Sequence, residues 1–363
     1  MRQIYLRPSA VIETPVGFDG QAARLAGTMV YFSALEVIQT EGGKRHSKAL
    51  VALSELETHL SDLPQELGDK ARQQFAHITA SRPAIKMGAR TIQLDQPRVM
   101  GILNCTPDSF SDGGTHGDVE AQALAGGEMA AAGASIIDVG GESTRPGAPL
   151  IWEGDEIKRV QPVIERLANA GHALSIDTRK AAVMEASLQA GASMINDISA
   201  LLYDDRALAV AKASDCPIVL MHAPSQSSDP HKNDGYHDVL FDVYDWLEER
   251  VDALVAAGIA RQRLLIDPGL GFGKSLSDNL VLVNNLSLFH GIGCPILFGA
   301  SRKRMIGALS NEAPADARLG GSIFLAMKAV EQGAHIVRVH DVPETVQAIH
   351  VWRGLRDSAL TAG

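Results

Sequence analysis

Residues 98–114 read RVMGILNCTPDSFSDGG, and this stretch contains the pattern that decides the fold. Its first six residues suit a buried strand. From Asn104 onward, polar residues and glycines crowd together in larger number than a simple turn needs. A buried strand with such an ending is typical of a sheet whose strand ends carry a binding site.

The same alternation of a short β-branched run and a helical stretch continues to the end of the chain. Alternation of this kind predicts parallel βαβ units. Eight units over roughly 265 residues match the usual size of a (β/α)8 TIM barrel, which is the fold we predict. The eight strand segments are 98–103, 134–139, 173–177, 193–197, 217–222, 263–267, 295–300 and 335–340.

The first 86 residues or so do not follow this rhythm. They contain a possible strand at 4–8, a mixed segment at 29–38 and helical patterns around 47–60 and 66–80. We predict a small N-terminal α/β extension of unknown role, with a proline- and glycine-punctuated junction to the barrel. The predicted division is residues 1–90 for the extension and 91–363 for the barrel.

Composition limits the classes of function. The formal net charge of −10 offers no broad basic surface, so we expect no nucleic-acid partner and no acidic membrane partner. The three cysteines are far apart and fit reduced thiols better than a disulfide framework. The first residues lack an apolar signal core, so the sequence predicts a cytoplasmic protein.

Because the site of a TIM barrel lies where the strands end, the polar residues there are candidate ligand contacts. Asp177 and Asp267 end strands that should be buried, and a buried carboxylate needs a cation, backbone amides or a ligand with N–H donors. Together with Asn196 they could bind the amino-amide edge of a flat heterocycle. The ordinary alternative is salt bridges to Arg179 and Lys180, or internal capping of backbone groups.

The last two strand ends and one loop favour an anionic ligand. The seventh strand is followed by Ser301, Arg302, Lys303 and Arg304, which could hold an anion or carbonyl at a helix N-terminus. Arg338 and His340 end the eighth strand, and TIM barrels often bind phosphate after these two strands. Thr144, Arg145 and Pro146 lie in a loop bounded by glycine and proline. The alternatives are a charged helix start in water and a solvated turn.

Two other motifs are weaker. Residues 266–275, IDPGLGFGKS, fail the P-loop pattern because Pro268 stands where glycine is required. His222, His231 and His237 have no zinc spacing, so we assign them no metal. A magnesium ion held by the Asn104 oxygen and by phosphate oxygens is more plausible, because Mg²⁺ takes few protein ligands.

Taken in order, eight motifs across the barrel resemble the dihydropteroate synthase family, and the resemblance covers roughly residues 90 to 357. They are NCTPDSFSDGG, GGESTRPG, SIDT, INDI, LMH, DPGLGFGK, SRK and RVHDV. The resemblance implies condensation of 6-hydroxymethyl-7,8-dihydropterin diphosphate with 4-aminobenzoate to give 7,8-dihydropteroate and pyrophosphate in folate biosynthesis. It also implies a homodimer.

The resemblance assigns roles to residues of this sequence. It implies that the pterin ring is held by Asp177, Asn196, Asp267 and Lys303, with Met221 and Phe272 near its faces. It implies that the diphosphate is held by Thr144, Arg145, Arg338 and His340, and Mg²⁺ by Asn104. It implies that the aminobenzoate pocket is shaped by Phe110, Pro146 and Ser301.

Two alternatives stay open at this point. A related barrel transfers a methyl group from methyltetrahydrofolate to a corrinoid protein, but it would leave Arg145, the SRK motif and RVHDV without a role. A non-catalytic paralogue could bind pterin and act through the N-terminal extension.

Overall fold

The computed structural model describes residues 2–105, 115–145, 147–225, 227, 229–233 and 235–361; in the helix that begins at 115, side chains are described from 119. The N-terminal residues form a four-stranded antiparallel sheet with two helices. Its elements are β1 (Arg2–Ile12), β2 (Ala23–Arg24), β3 (Tyr31–Glu41), β4 (Lys44–Ala52), α1 (Leu56–Ser61) and α2 (Gln65–Thr79).

One prediction for this part of the chain is wrong. Residues 47–52 were expected in a helical pattern but belong to β4, which pairs with β3 over its length. The edge of β3 offers unpaired backbone groups, and pairing with them outweighs local helical preference. The helix of this region begins only at Leu56.

The remaining strands and helices alternate along the chain. A short hairpin, β5 (Ile85–Met87) and β6 (Arg90–Ile92), comes first. Eight strands follow: β7 (Arg98–Asn104), β8 (Ile136–Gly140), β9 (Leu174–Asp177), β10 (Met194–Asp197), β11 (Ile218–Met221), β12 (Leu264–Asp267), β13 (Leu297–Phe298) and β14 (Ile336–Val339). The helices are α3 (Thr115–Ala131), α4 (Glu153–Asn169), α5 (Ala181–Ala190), α6 (Ala207–Ala213), α7 (Val239–Ala256), α8 (Leu276–Asn284), α9 (Arg304–Leu309), α10 (Leu319–Val330) and α11 (Val342–Thr361).

The eight strands form one parallel sheet in the order β12-β11-β10-β9-β8-β7-β14-β13. A parallel bridge between Ile266 and Ile296 joins its two ends. The predicted TIM barrel is therefore confirmed, with its closing seam between β12 and β13.

The floor of the barrel is apolar. Seven strands, and Ala173 directly before β9, each contribute one buried residue to a single layer, and the hairpin β5-β6 packs against that layer from below. The hairpin therefore packs on the barrel, although the predicted domain division at residue 90 falls within it. The layer consists of Met100, Ile136, Ala173, Met194, Val219, Leu265, Leu297 and Ile336.

The N-terminal sheet docks along one face of α7. Tyr5 stacks on Phe241 with ring centroids 4.3 Å apart, and its hydroxyl donates to the carboxylate of Asp245 at 2.9 Å. Arg45 pairs with Asp238 at 2.9 Å, just before the helix begins. Because these helix positions are three or four residues apart, they share one face.

A second contact joins the extension to the 3₁₀ segment Leu286–Ile292, which leads into β13. The Ser287 hydroxyl donates to the carbonyl of Pro8 at 3.2 Å, and Arg82 donates to the carbonyl of His290 at 3.2 Å. His77 lies 2.8 Å from the carbonyl of Gly291 through its Nδ1. The extension therefore packs on the barrel through backbone as well as side-chain groups.

Within the described part of the chain, the model contains no helix with both the length and the apolar character needed to span a bilayer.

Replacing Tyr5 by Phe tests the docking of the extension. Loss of the hydroxyl leaves the half-buried Asp245 carboxylate without its donor, so we expect the free energy of unfolding to fall by about 1.5 kcal/mol. Urea denaturation measures this. The matched control is Tyr31→Phe, because the Tyr31 hydroxyl makes no hydrogen bond to another described residue. Equal stability of both variants would contradict the docking.

Candidate functional site

The site is built on the same inward faces as the barrel floor. Because side chains alternate along a strand, the residue two positions beyond each floor residue also points inward. This second layer is mostly polar, whereas the floor is apolar. It consists of Ile102, Asp138, Ser175, Asn196, Met221, Asp267, Gly299 and Arg338.

Arg338 bridges two carboxylates at the centre of this layer. Its Nε donates to Asp138 at 2.5 Å, and its NH2 group donates to Asp177 at 2.6 Å. Burial opposes the charge on Arg338, but the two carboxylates raise its pKa above the ordinary value. Its NH1 group makes no hydrogen bond to another described residue, so Arg338 keeps donors for a ligand.

Asp138 was expected among the strand-end residues that face the ligand, but the sequence assigned it no specific contact. It is fully buried, and one carboxylate oxygen accepts from both Arg338 and the Asn196 amide, the latter at 3.0 Å. Its other oxygen, Oδ1, has no partner among the described residues. A buried acceptor without a donor is costly, so a ligand N–H group at this point would be stabilised. The signal was present, since Asp138 stands at the end of a predicted strand.

Asp267 and Lys303 form a second polar group. Asp267 is buried and accepts from the backbone amide of Gly269 at 2.7 Å. Burial raises the pKa of Asp267, and it lowers the pKa of Lys303 to about 8. Lys303 donates to the carbonyl of Leu270. The structure thus places a carboxylate and an amine, both predicted ligand contacts, at the same wall.

Part of the wall is apolar. Met221 and Phe272, predicted near the faces of the ring, cluster with Ile198 and Ala223. The His231 ring stacks on Phe272 with centroids 4.9 Å apart and planes 5° apart. A flat ligand would find an apolar surface here and hydrogen-bonding groups on the neighbouring strands.

At the rim, His340 and Ser301 lie together. The Ser301 hydroxyl accepts from the backbone amide of His340 at 3.2 Å and lies 3.1 Å from its Nδ1. Burial and the nearby charge of Arg338 lower the pKa of His340 to about 4. His340 is therefore neutral near pH 7 and can still donate one hydrogen bond.

The loop after β8 carries Thr144 and Arg145. The Thr144 carbonyl lies 2.9 Å from His231 Nε2, and Arg145 is exposed. Lys180 does not pair with Asp177: it binds Glu142 at 3.0 Å and Glu156 at 2.7 Å. The alternative of a salt bridge between Asp177 and Lys180 is therefore wrong.

A cavity of about 240 Å³ opens beside this loop. The loop forms one side, and residues 229–231 with Arg179 and Ile198 form the other. The cavity adjoins the strand ends on the side of β8 to β11.

The glycine-rich loop after β12 is held by Lys274. Its amine donates to the carbonyls of Gly269 at 2.8 Å and Phe272 at 3.2 Å, and lies 3.0 Å from His222 Nδ1. Burial lowers the pKa of Lys274 to about 7. Lys274 and His222 thus stabilise the loop, which is a structural role that the sequence did not assign.

Asn104 ends β7 with an exposed side chain that makes no hydrogen bond to another described residue. No cluster of three His, Cys, Asp or Glu residues suited to a metal occurs within the described ranges. One amide oxygen fits a Mg²⁺ ion that takes its other ligands from phosphate and water. Phe110 and Pro146, two predicted site residues, lie outside the described residues.

Comparison with known proteins gives a consistent result. Residues 100–340 match the family described as pterin binding enzyme. Dihydropteroate synthase of Escherichia coli strain K12 is 46% identical over 262 residues, covering 72% of this chain and 92% of that relative. This chain belongs to the dihydropteroate synthase family of pterin-binding enzymes. The prediction of the family, and with it of an enzyme, is confirmed.

Solved structures of this family resemble the barrel. One from Xanthomonas albilineans with 4-aminobenzoic acid is 47% identical, covers 76% of this chain and 98% of that chain, and has a TM-score of 0.70. One from the same organism with 7,8-dihydropteroate is 44% identical, covers 76% and 99%, and has a TM-score of 0.68. These structures are matched almost in full, while about a quarter of this chain is left over.

Asp138→Asn tests the central bridge. The substitution removes one of two carboxylates from Arg338, so we expect the free energy of unfolding to fall by about 3 kcal/mol. Guanidinium denaturation measures this. Asp155→Asn, which breaks an exposed ion pair with Lys158 on α4, serves as the control and should change stability by less than about 0.5 kcal/mol. If both substitutions cost the same, the bridge is not a major source of stability.

Proposed function

We propose that this chain condenses 6-hydroxymethyl-7,8-dihydropterin diphosphate with 4-aminobenzoate, giving 7,8-dihydropteroate and pyrophosphate. Family membership supports this reaction, which belongs to folate biosynthesis. The observation that carries it is the second layer of the barrel, where acceptors for a heterocycle surround Arg338 below a cationic rim.

The pterin ring would lie in the polar second layer. The free Oδ1 of Asp138 and the carboxylates of Asp177 and Asp267 are acceptors for its N–H groups, and Asn196 offers a donor as well as an acceptor. Gly299 places no side chain in this layer, next to the Asp267 carboxylate.

The apolar wall fits the faces of the ring. Met221 ends β11 and Phe272 lies in the loop after β12, and both belong to one buried cluster. Lys303 approaches the Phe272 ring to 4.9 Å and places a cation beside this wall. Lys303 would donate to a carbonyl or ring nitrogen of the pterin.

The diphosphate would lie above the ring at the rim. Arg338 has a free NH1 group, His340 is a neutral donor, and Arg145 is exposed on its loop. Thr144 adds a hydroxyl from the same loop. Preorganised donors that meet the charge developing on a leaving diphosphate lower the barrier to its departure.

We propose Ser301 for the aminobenzoate pocket, together with Phe110 and Pro146. Ser301 is supported by its position between Lys303 and His340 at the rim, next to the proposed diphosphate.

We propose Mg²⁺ as the cofactor, with Asn104 as its protein ligand. When bound, Mg²⁺ neutralises charge on the diphosphate oxygens. The exposed amide oxygen at the end of β7 supports this assignment.

The chain's own residues would carry the reaction as follows. In their ionised form, which the charges of Arg338 and Lys303 favour against burial, Asp177 and Asp267 would favour positive charge on the pterin as the bond between the methylene carbon and the diphosphate oxygen breaks. Arg338, His340 and Arg145 hold the diphosphate as it leaves. The neutral arylamine then forms the new carbon–nitrogen bond, and its proton leaves with the diphosphate. The mechanism requires no side chain as a general base.

Pyrophosphate release by the full chain tests this proposal. We expect release only when the dihydropterin diphosphate, 4-aminobenzoate and Mg²⁺ are all present, with 7,8-dihydropteroate formed in equal amount. Omission of each component in turn is the control. Pterin binding without release would instead indicate a non-catalytic paralogue.

Lys303→Ala tests the assigned site. Loss of the amine beside the ring should reduce kcat/KM at least about 100-fold, since a positioned donor is removed from a dry site. The control is Lys86→Ala, which removes an exposed amine from the hairpin at the opposite end of the barrel. Steady-state kinetics and thermal melting of both variants separate a site effect from unfolding. Normal kinetics of Lys303→Ala would refute the assignment.

We also propose that the chain forms a homodimer and acts in the cytoplasm. Phe324 on α10 and Val351 and Leu355 on α11 are each more than half exposed, and the two helices pack against each other. Such exposed apolar groups favour association. Phe324→Asp should shift the mass measured by light scattering from dimer to monomer. The control Leu150→Asp changes an exposed apolar residue in a rim loop and should leave the mass unchanged.

A further inference from the structure

Arg302 adopts an unusual backbone conformation. Its φ of +57° lies in the left-handed region, where a side chain with a Cβ is disfavoured. It stands between Ser301 and Lys303, two residues of the proposed site. A conformation of this kind persists only where the surroundings hold it in place.

Four hydrogen bonds hold Arg302. Its backbone amide donates to the Ser322 hydroxyl at 2.9 Å, and its carbonyl accepts from Arg318 at 2.9 Å. Its guanidinium makes a two-pronged ion pair with Asp341, through Nε at 3.1 Å and through NH2. The side chain of Arg302 is thus directed to Asp341.

The ion pair joins two neighbouring strand ends. β13 and β14 pair in register, with Leu297 opposite Ile336. Ser301 forms a hydrogen bond with His340, and the residue that follows each of them, Arg302 and Asp341, forms the ion pair. Two consecutive ties therefore connect the loop after β13 to the loop after β14.

We propose that Arg302 and Asp341 are positioning residues for the reaction. Their ion pair holds the left-handed turn at Arg302 and so fixes Ser301 and Lys303 relative to His340. The inference rests on the proposed function, which places these three residues at the substrates. Groups that bind substrate lose much of their effect when their placement becomes loose.

The test is a double-mutant cycle in the full chain with Arg302→Ala, Asp341→Ala and the double variant. Each single substitution should lower kcat/KM about tenfold or more, mainly through a higher KM. The kcat/KM of the double variant should be no lower than that of the poorer single variant, because either substitution alone already breaks the ion pair. Arg302→Lys, which loses the two-pronged geometry, should fall between wild type and Arg302→Ala.

Two further variants separate the ion pair from strain and from charge. Arg302→Gly relaxes the left-handed backbone, so it should melt a few degrees above Arg302→Ala while recovering no activity. Arg166→Ala removes an exposed arginine from α4, outside the proposed site, and should keep wild-type kinetics. Should Asp341→Ala fail to fold, the nearly isosteric Asp341→Asn gives the same comparison.

The outcomes are distinct. Wild-type kinetics in Arg302→Ala and Asp341→Ala, or losses that multiply in the double variant, would overturn the positioning role and leave the proposed function intact. If the wild-type chain releases no pyrophosphate, the proposed function fails. Calorimetric titration of the same variants with pyrophosphate and Mg²⁺ then decides the role: a shared loss of affinity supports the tie, and unchanged affinity refutes it.

Discussion

A guanidinium held between two carboxylates organises the side chains at the C-terminal end of the barrel strands. Arg338 comes from β14, while Asp138 and Asp177 come from β8 and β9, so the bridge spans strands that are not neighbours. Removing three charged groups from water is expensive, and their mutual attraction repays the cost only with good geometry. The short contacts supply that geometry. Among the described residues, one carboxylate oxygen of Asp138 has no donor, so this oxygen can accept a hydrogen bond from a ligand.

The division of the barrel interior into layers makes this arrangement possible. The apolar floor and the hairpin below it provide burial that does not depend on any ligand. The polar second layer can therefore be specialised for binding, and its glycine at position 299 leaves room there. Stability and recognition lie at different heights of the same strands, which is the usual separation in this fold.

The barrel and most of the rim could be predicted from the sequence, because a strand period of two and a regular count of units are properties of the chain itself. The β4 strand could not, since Lys44–Ala52 becomes a strand only when the edge of β3 is beside it. Asp138 was visible as a strand end, but its bridging role depends on Arg338, two hundred residues away in sequence. The pairing of Arg302 with Asp341 likewise arises only when β13 and β14 lie side by side in the closed barrel.

The N-terminal extension packs close to the place where the barrel closes. The seam between β12 and β13 is joined by a bridge at Ile266 and Ile296, and β1 and α2 pack against the 3₁₀ segment that leads into it. A barrel opens most readily where its strands share the fewest hydrogen bonds. The extension packs on the Leu286–Ile292 segment that leads into this seam, so its contacts add to the few hydrogen bonds that close the barrel there.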